Sequence, residues 1–213
     1  MSERIIIDWE KLSDSLREPF VGMVVHAEWN CNCPICRKSP IQRNNRLHLA
    51  MLPLDKELDF QHAWYNYSGK KWSSWGAFTL SMKKLGISVG CRDLQDLLQK
   101  LKGMLFEFES ITVVKYIERE TGIKCPSRLP EMLEKKETWI PVRIVRENEL
   151  EFIIRDDLRQ FYTQGMDKLR EVANNLWQDE LRKHEEELKQ IEQTSPSTEV
   201  ETYEYDFSNY SQE

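Results

Sequence analysis

Two periods of apolar residues divide the chain. From Phe20 to Trp29, Val21, Met23, Val25, Ala27 and Trp29 alternate with Gly22, Val24, His26 and Glu28. A period of two predicts a strand. The polar stretch from Cys31 to Asn45, with Pro34, Pro40 and the Asn44-Asn45 pair, reads as a loop. Arg46 to Leu52 predicts a second strand, with Leu47, Leu49 and Met51 opposite His48, Ala50 and Leu52. After a turn at Pro53-Leu54-Asp55, Gln61 to Ser68 predicts a third. It sets His62, Trp64 and Asn66 on one face and Ala63, Tyr65 and Tyr67 on the other. The period then lengthens. Trp75, Phe78, Met82 and Leu85 recur at helical steps up to Gly86, which predicts a helix with a glycine stop. Leu94, Leu97, Leu98 and Leu101 mark a second short helix ending near Gly103. Met104 to Val114 and Thr138 to Val145 return to the strand period. Pro141, inside the last, implies an edge strand or a bulge. Residues 116–136, with Pro126 and Pro130, read as an irregular insertion. From Asp156 the pattern is helical again, through Leu158, Phe161, Leu169, Val172, Leu176, Leu181, Leu188 and Ile191. The Thr-Ser-Pro-Ser-Thr run after Gln193 opens a tail too polar to bury a core, which predicts disorder.

Three strands, a helical segment, two strands and a long helix make an α+β chain. The order is that of the OB-fold, a five-stranded Greek-key barrel with a helical segment between strands three and four. A plain sheet with a helical cap is the alternative. The expected organisation is an N-terminal segment over 1–17, an OB-like domain over 18–148, a C-terminal helix over 149–193 and an acidic tail over 194–213.

Charge sharpens this division. The net charge of -6 splits into -8 from Trp177 onward and +2 over residues 1–176. Cys31 to His48 holds Arg37, Lys38, Arg43 and Arg46 and no acid. A mildly basic body with an acidic end suits a polyanion partner and an acidic docking or regulatory tail. The chain of 213 residues is 40% hydrophobic, enough for one core. It has no apolar run of eighteen residues to span a membrane, and its first apolar stretch is too short for a secretory signal. A cytoplasmic protein is the expectation.

Strands two and three and the following helix carry a resemblance. Arg46-Leu-His-Leu-Ala-Met-Leu-Pro-Leu-Asp55, His62-Ala-Trp-Tyr-Asn-Tyr-Ser68 and Lys71-Trp-Ser-Ser-Trp-Gly-Ala-Phe78 look like a group of OB-fold proteins of phages and prokaryotes. These are similar to single-stranded DNA-binding proteins. Lys102 to Phe108 resembles the strand after the barrel helix, and Trp139 to Arg143 the closing strand. The resemblance implies non-enzymatic binding of single-stranded DNA in replication, recombination or repair. It covers residues 20–145; the cysteine loop, the insertion and the C-terminal helix depart from the simple barrel.

The residues themselves point the same way. His62, Trp64, Tyr65, Tyr67, Lys70, Lys71, Trp72 and Trp75 crowd one segment. Single strands are held by rings that stack on bases and by a basic groove along the phosphates. Trp64, Tyr65, Tyr67 and Trp72 are the candidate stacking platforms. Arg37, Lys38, Arg43, Arg46, Lys70 and Lys71 are the candidate phosphate contacts. Single-stranded RNA is an alternative ligand, and a protein-interaction scaffold using the C-terminal helix is the rival class; a homo-oligomer stays open. Cys31, Cys33 and Cys36 form a Cys-x-Cys-x-x-Cys run that can wrap one tetrahedral zinc. Cys125 is the candidate fourth ligand, with His26 and His48 as imidazole alternatives and an iron–sulfur cluster as the rival cofactor. A structural role is expected of the zinc. Catalysis is not: HExxH, GxGxxG and GxxxxGK[ST] are all missing.

Overall fold

The computed structural model describes residues 17–38, 45–67, 73–89, 94–113, 117, 120–122 and 137–194. Five strands form one sheet: β1 (Phe20–Trp29), β2 (Arg46–Pro53), β3 (Gln61–Asn66), β4 (Leu105–Thr112) and β5 (Glu137–Ile144). The order is β3-β2-β1-β4-β5, and every neighbouring pair is antiparallel. The fourth strand returning to lie beside the first makes β1–β4 a Greek key. A single helical turn, α1 (Pro34–Arg37), sits between β1 and β2. Two helices, α2 (Ser74–Lys84) and α3 (Leu94–Leu101), lie between β3 and β4. After β5 come α4 (Leu150–Ile153), α5 (Asp156–Tyr162) and the 29-residue α6 (Met166–Thr194). The single C-terminal helix expected from the sequence is therefore three segments, the last break falling at Gly165, whose φ of 113° is one that glycine tolerates.

The sheet is open: among the described residues no ladder joins β3 to β5, so both are edges and the predicted OB-like barrel is not seen to close. The predicted place of Pro141 on an edge holds, and a register shift lies opposite it between Glu107 and Phe108. Side chains tie the two edges instead. Tyr65 Oη on β3 donates to Trp139 O on β5 at 2.6 Å. Helix α2 lies across the gap, where Ser74 Oγ accepts from Asn66 N at 2.7 Å and Ser81 Oγ donates to Pro141 O.

Both faces of the sheet are buried. The inner face packs Phe20, Leu47, Leu49, Met51, Tyr65 and Phe108 against Phe78 and Met82 of α2 and Leu98 of α3. The outer face packs Val21, Met23, Val25, Ala50 and Leu52 against Leu150, Ile154, Leu158, Leu169, Ala173 and Trp177. All eight residues of β2 are buried as a result. The sequence pattern anticipates one covered face and one open to a ligand; the C-terminal helices cover the second. Their buried stripe is Leu169, Ala173 and Trp177, one residue out of phase with the predicted Leu176, which is 37% exposed. No helix among the described residues is long and apolar enough to cross a membrane.

The Tyr65 hydroxyl is the fully buried tie between the edges. Tyr65→Phe leaves the buried Trp139 carbonyl without that donor and is expected to cost about 1–3 kcal/mol. An unchanged urea-unfolding midpoint would show that the edges are held by other means.

Candidate metal centre

The centre is built where β1, β2 and the loop between them meet α6. A β-bulge in β1 between Val24 and His26 resets the alternation. Val25 and His26 both reach the outer face, while Ala27 returns to the inner one. A bulge re-aims a side chain in this way. His26 thereby faces His48 of β2, ring centroids 5.0 Å apart. The loop is pinched at its neck. Asn30 and Asn45 both adopt the left-handed conformation, φ 54° and 59°, which asparagine accepts more readily than most residues. Asn30 Oδ1 accepts from Asn45 N at 2.7 Å, and Asn30 N donates to Arg46 O at 2.8 Å. Inside the neck, Pro34 starts the single turn α1. That turn puts Cys33 and Cys36, three residues apart, on one side.

Five donors converge. His26 Nε2 lies 3.2 Å from Cys31 Sγ. His48 Nδ1 lies 3.7 Å from Cys33 Sγ and 3.5 Å from Cys36 Sγ. The donor atoms of His26, Cys31, Cys33 and His48 all fall within 4.8 Å of one another. A tetrahedral zinc with Zn–S of about 2.3 Å and Zn–N of about 2.0–2.1 Å needs nitrogen–sulfur edges of about 3.5 Å. The observed separations fit that size. Cys31 and Cys36 are buried and Cys33 is partly exposed, and all three are free thiols. Hydrogen bonding among them pushes the Cys36 thiol down, helped by His48, and the Cys31 thiol up. On ligating a metal, such thiols would release their protons to solvent as the metal–sulfur bonds form. Burial holds His26 and His62 at about 3, so both imidazoles are neutral at neutral pH.

A second layer surrounds the donors. His48 Nε2 lies 3.1 Å from His62 Nδ1. Trp64 stacks flat on His48, centroids 5.3 Å apart with a 7° tilt, and its Nε1 donates to Cys36 Sγ at 3.5 Å. Trp177 of α6 closes the top, its ring 5.2 Å from His26, 6.0 Å from His62 and 5.5 Å from Phe60. Outside this, Arg37 and Lys38 form ion pairs with Glu185 and Glu187 of α6, and Lys38 Nζ also donates to His184 Nδ1 at 2.6 Å. The cluster can hold a metal such as zinc.

The predicted thiols Cys31, Cys33 and Cys36 do come together, joined by the alternative imidazoles His26 and His48. The predicted nucleic-acid residues fare differently. Tyr65 is fully buried, its ring stacked on Phe78 at 4.4 Å, so it offers no face to a base. Arg46 is 3% exposed and so has no surface for a phosphate. Trp64 is half-buried in the metal centre's shell. Arg37 and Lys38 are engaged by α6. Tyr67 is exposed. Arg43, Lys70, Lys71, Trp72, Cys125, and the tail from residue 195 lie outside the described residues. The sequence reading missed His62 and Trp177 as parts of one centre. His62 shares a strand face with Trp64, and Trp177 sits four residues beyond Ala173, so both spacings were readable in principle.

A cleft of about 270 Å³ adjoins the centre between the open edges. It is lined by His62, Trp64 and Asn66 of β3, Glu137 and Trp139 of β5, and Arg17 just before β1. No protein family, curated protein or solved structure matches the chain.

Trp177 is 3% exposed and touches both the centre and the outer core. Trp177→Ala should cost about 3–5 kcal/mol and speed alkylation of Cys31, Cys33 and Cys36. Alkylation at the parental rate would mean that α6 does not shield the thiols.

Proposed function

We propose that the chain is a non-enzymatic protein that binds single-stranded DNA on an OB-like sheet, with a structural zinc fixing the β1–β2 loop and the C-terminal helix. The convergence of three cysteines and two histidines at zinc-ligand spacing carries the metal half of this reading. Cover by Trp177 over His26 and by Trp64 over His48 and Cys36 suits a closed structural site, since a catalytic zinc keeps one position open. The DNA half is supported by the architecture. A Greek key with a helix before its fourth strand and an unclosed seam is the form of a partly open OB barrel. The cleft at that seam offers the half-buried Trp64 ring and the Arg17 cation, the kinds of groups that take up bases and phosphates. The cations Arg37 and Lys38 already hold carboxylates of α6. Phosphates reaching this loop would have to displace Glu185 and Glu187. The edges of β3 and β5, not laddered to each other among the described residues, flank the cleft, and they favour strand addition by an extended peptide as the second reading.

Protein purified without added metal is expected to carry close to one zinc, and chelation should lower the melting temperature. Metal-free protein of unchanged stability would end the structural-zinc reading. Oligo-dT should quench tryptophan fluorescence, with affinity falling as salt rises. A chain carrying Glu185→Gln and Glu187→Gln should bind oligo-dT more tightly at low salt, the gain fading as salt screens the charges. No quenching by oligo-dT in either protein would reject DNA binding, and binding of an extended peptide instead would select the second reading.

A further inference from the structure

The centre has five donors for the four positions of a tetrahedral zinc. Two ligand sets compete. One is His26, Cys31, Cys33 and His48, whose two thiolates neutralise a divalent ion. The other is Cys31, Cys33, Cys36 and His48, whose three thiolates leave one negative charge. Both presuppose the metal reading above; the difference between them lies in a residue outside the donor set.

Arg46 stands two residues before His48 on the same face of β2 and is 3% exposed. Its guanidinium lies over the Trp64 ring, 6.0 Å from the centroid. Nη2 is buried with no hydrogen-bond partner, and no carboxylate pairs with Arg46 among the described residues. A guanidinium keeps its charge in proteins, and an uncompensated buried charge is strongly unfavourable. A neutral two-thiolate centre leaves Arg46 alone in the interior. A three-thiolate centre places the missing negative charge beyond one indole, whose N–H already points at Cys36.

We propose that the resident metal is held by Cys31, Cys33, Cys36 and His48 as an anionic three-thiolate site whose charge Arg46 balances, with His26 as a hydrogen-bond donor to Cys31 and not a ligand. The hydrogen bonds then close without a conflict. Cys31 Sγ accepts from His26 Nε2 at 3.2 Å and from Cys33 N at 3.4 Å. Cys36 Sγ accepts from Trp64 Nε1 at 3.5 Å. With Nδ1 of His48 on the metal, its Nε2 carries the proton and donates to His62 Nδ1 at 3.1 Å. A ligating histidine commonly donates its other N–H in this way, which fixes its tautomer. The two-thiolate set would strand the fully buried Cys36 thiol beside a donor with no charge to stabilise.

Cobalt(II) is the probe, loaded into the full chain, because the intensity of sulfur-to-cobalt charge transfer scales with the number of thiolates. The parent should show three. Cys36→Ser should lose about one third of that intensity and hold cobalt more than about 100-fold less tightly against a chelator, beyond the range of an outer-layer change. His26→Gln should keep three thiolates and weaken binding by about 10–100-fold. Arg46→Met should keep the three-thiolate spectrum while weakening binding by a similar factor, and Arg46→Lys should restore most of it. A parent with two thiolates, unchanged by Cys36→Ser and disrupted by His26→Gln, overturns the proposal but leaves a metal centre. Equal affinity of the parent and a folded Arg46→Met chain removes the balancing role. No cobalt bound by the parent ends the metal reading itself. The Cys36 and His26 arms stand whether or not Arg46→Met folds.

Discussion

A sheet that is apolar on both faces has to be covered twice. Inner-face residues of β1 and β2 are no more hydrophobic than Met23, Val25 and Leu52 on the outer face. Fully burying one such side chain is worth about 1.5–3 kcal/mol, so leaving the outer set in water would forfeit much of what a small domain has in hand. Helices α4 to α6 exist to meet that demand. They place Leu150, Ile154, Leu158, Leu169, Ala173 and Trp177 in one continuous layer. Everything distinctive about the chain follows at the end of that layer, where apolar packing gives way to His26, His48, His62 and the thiols under Trp177.

The strands were legible because their alternation is strong and their turns carry Pro, Gly and Asn. The edge position of β5 was legible from one residue, Pro141. Three features were not. The bulge at Val25 leaves no mark on the alternation, so His26 read as lying on the wrong face. The closing of the seam is done by Tyr65, Ser74 and Ser81, polar side chains that carry no periodic signal. The cover of the outer face depends on Leu169, Ala173 and Trp177, a stripe with one small residue and one aromatic that a richer pattern of leucines obscures. The cysteine cluster itself was plain in the sequence. Its imidazole partners His26 and His48 were legible too, but the outer layer of His62, Trp64 and Trp177 was not, because it comes from a third strand and from a helix more than a hundred residues away.

This also accounts for the fate of the aromatic and basic residues. Alternation along β3 correctly separates Tyr65 from Trp64, yet neither face was free. The inner ring serves the core, and the outer ring serves the thiol cluster. The strip left uncovered is the seam between β3 and β5, where Trp64 stays partly accessible while Trp139 is buried in the core.

The ion pairs between the loop and α6 look like the device that holds the helix down, but magnitudes argue otherwise. Arg37, Lys38, Glu185 and Glu187 are each about a quarter to two fifths exposed. Pairs that wet contribute about 0–1 kcal/mol each, less in salt. They cannot hold a loop against the entropy of its free chain, which is about 1–2 kcal/mol per residue fixed. A metal joining Cys31, Cys33 and Cys36 to His48 could, because its binding free energy is coupled directly to folding and reaches about 10 kcal/mol or more in small zinc domains. With a metal held there, the order of cause would run from the metal to the loop, and from the loop to the ion pairs: the carboxylates of α6 would sit on Arg37 and Lys38 because the thiol cluster had put those cations within reach. Loss of the metal would free the loop, its two cations and the acidic end of α6 in one event.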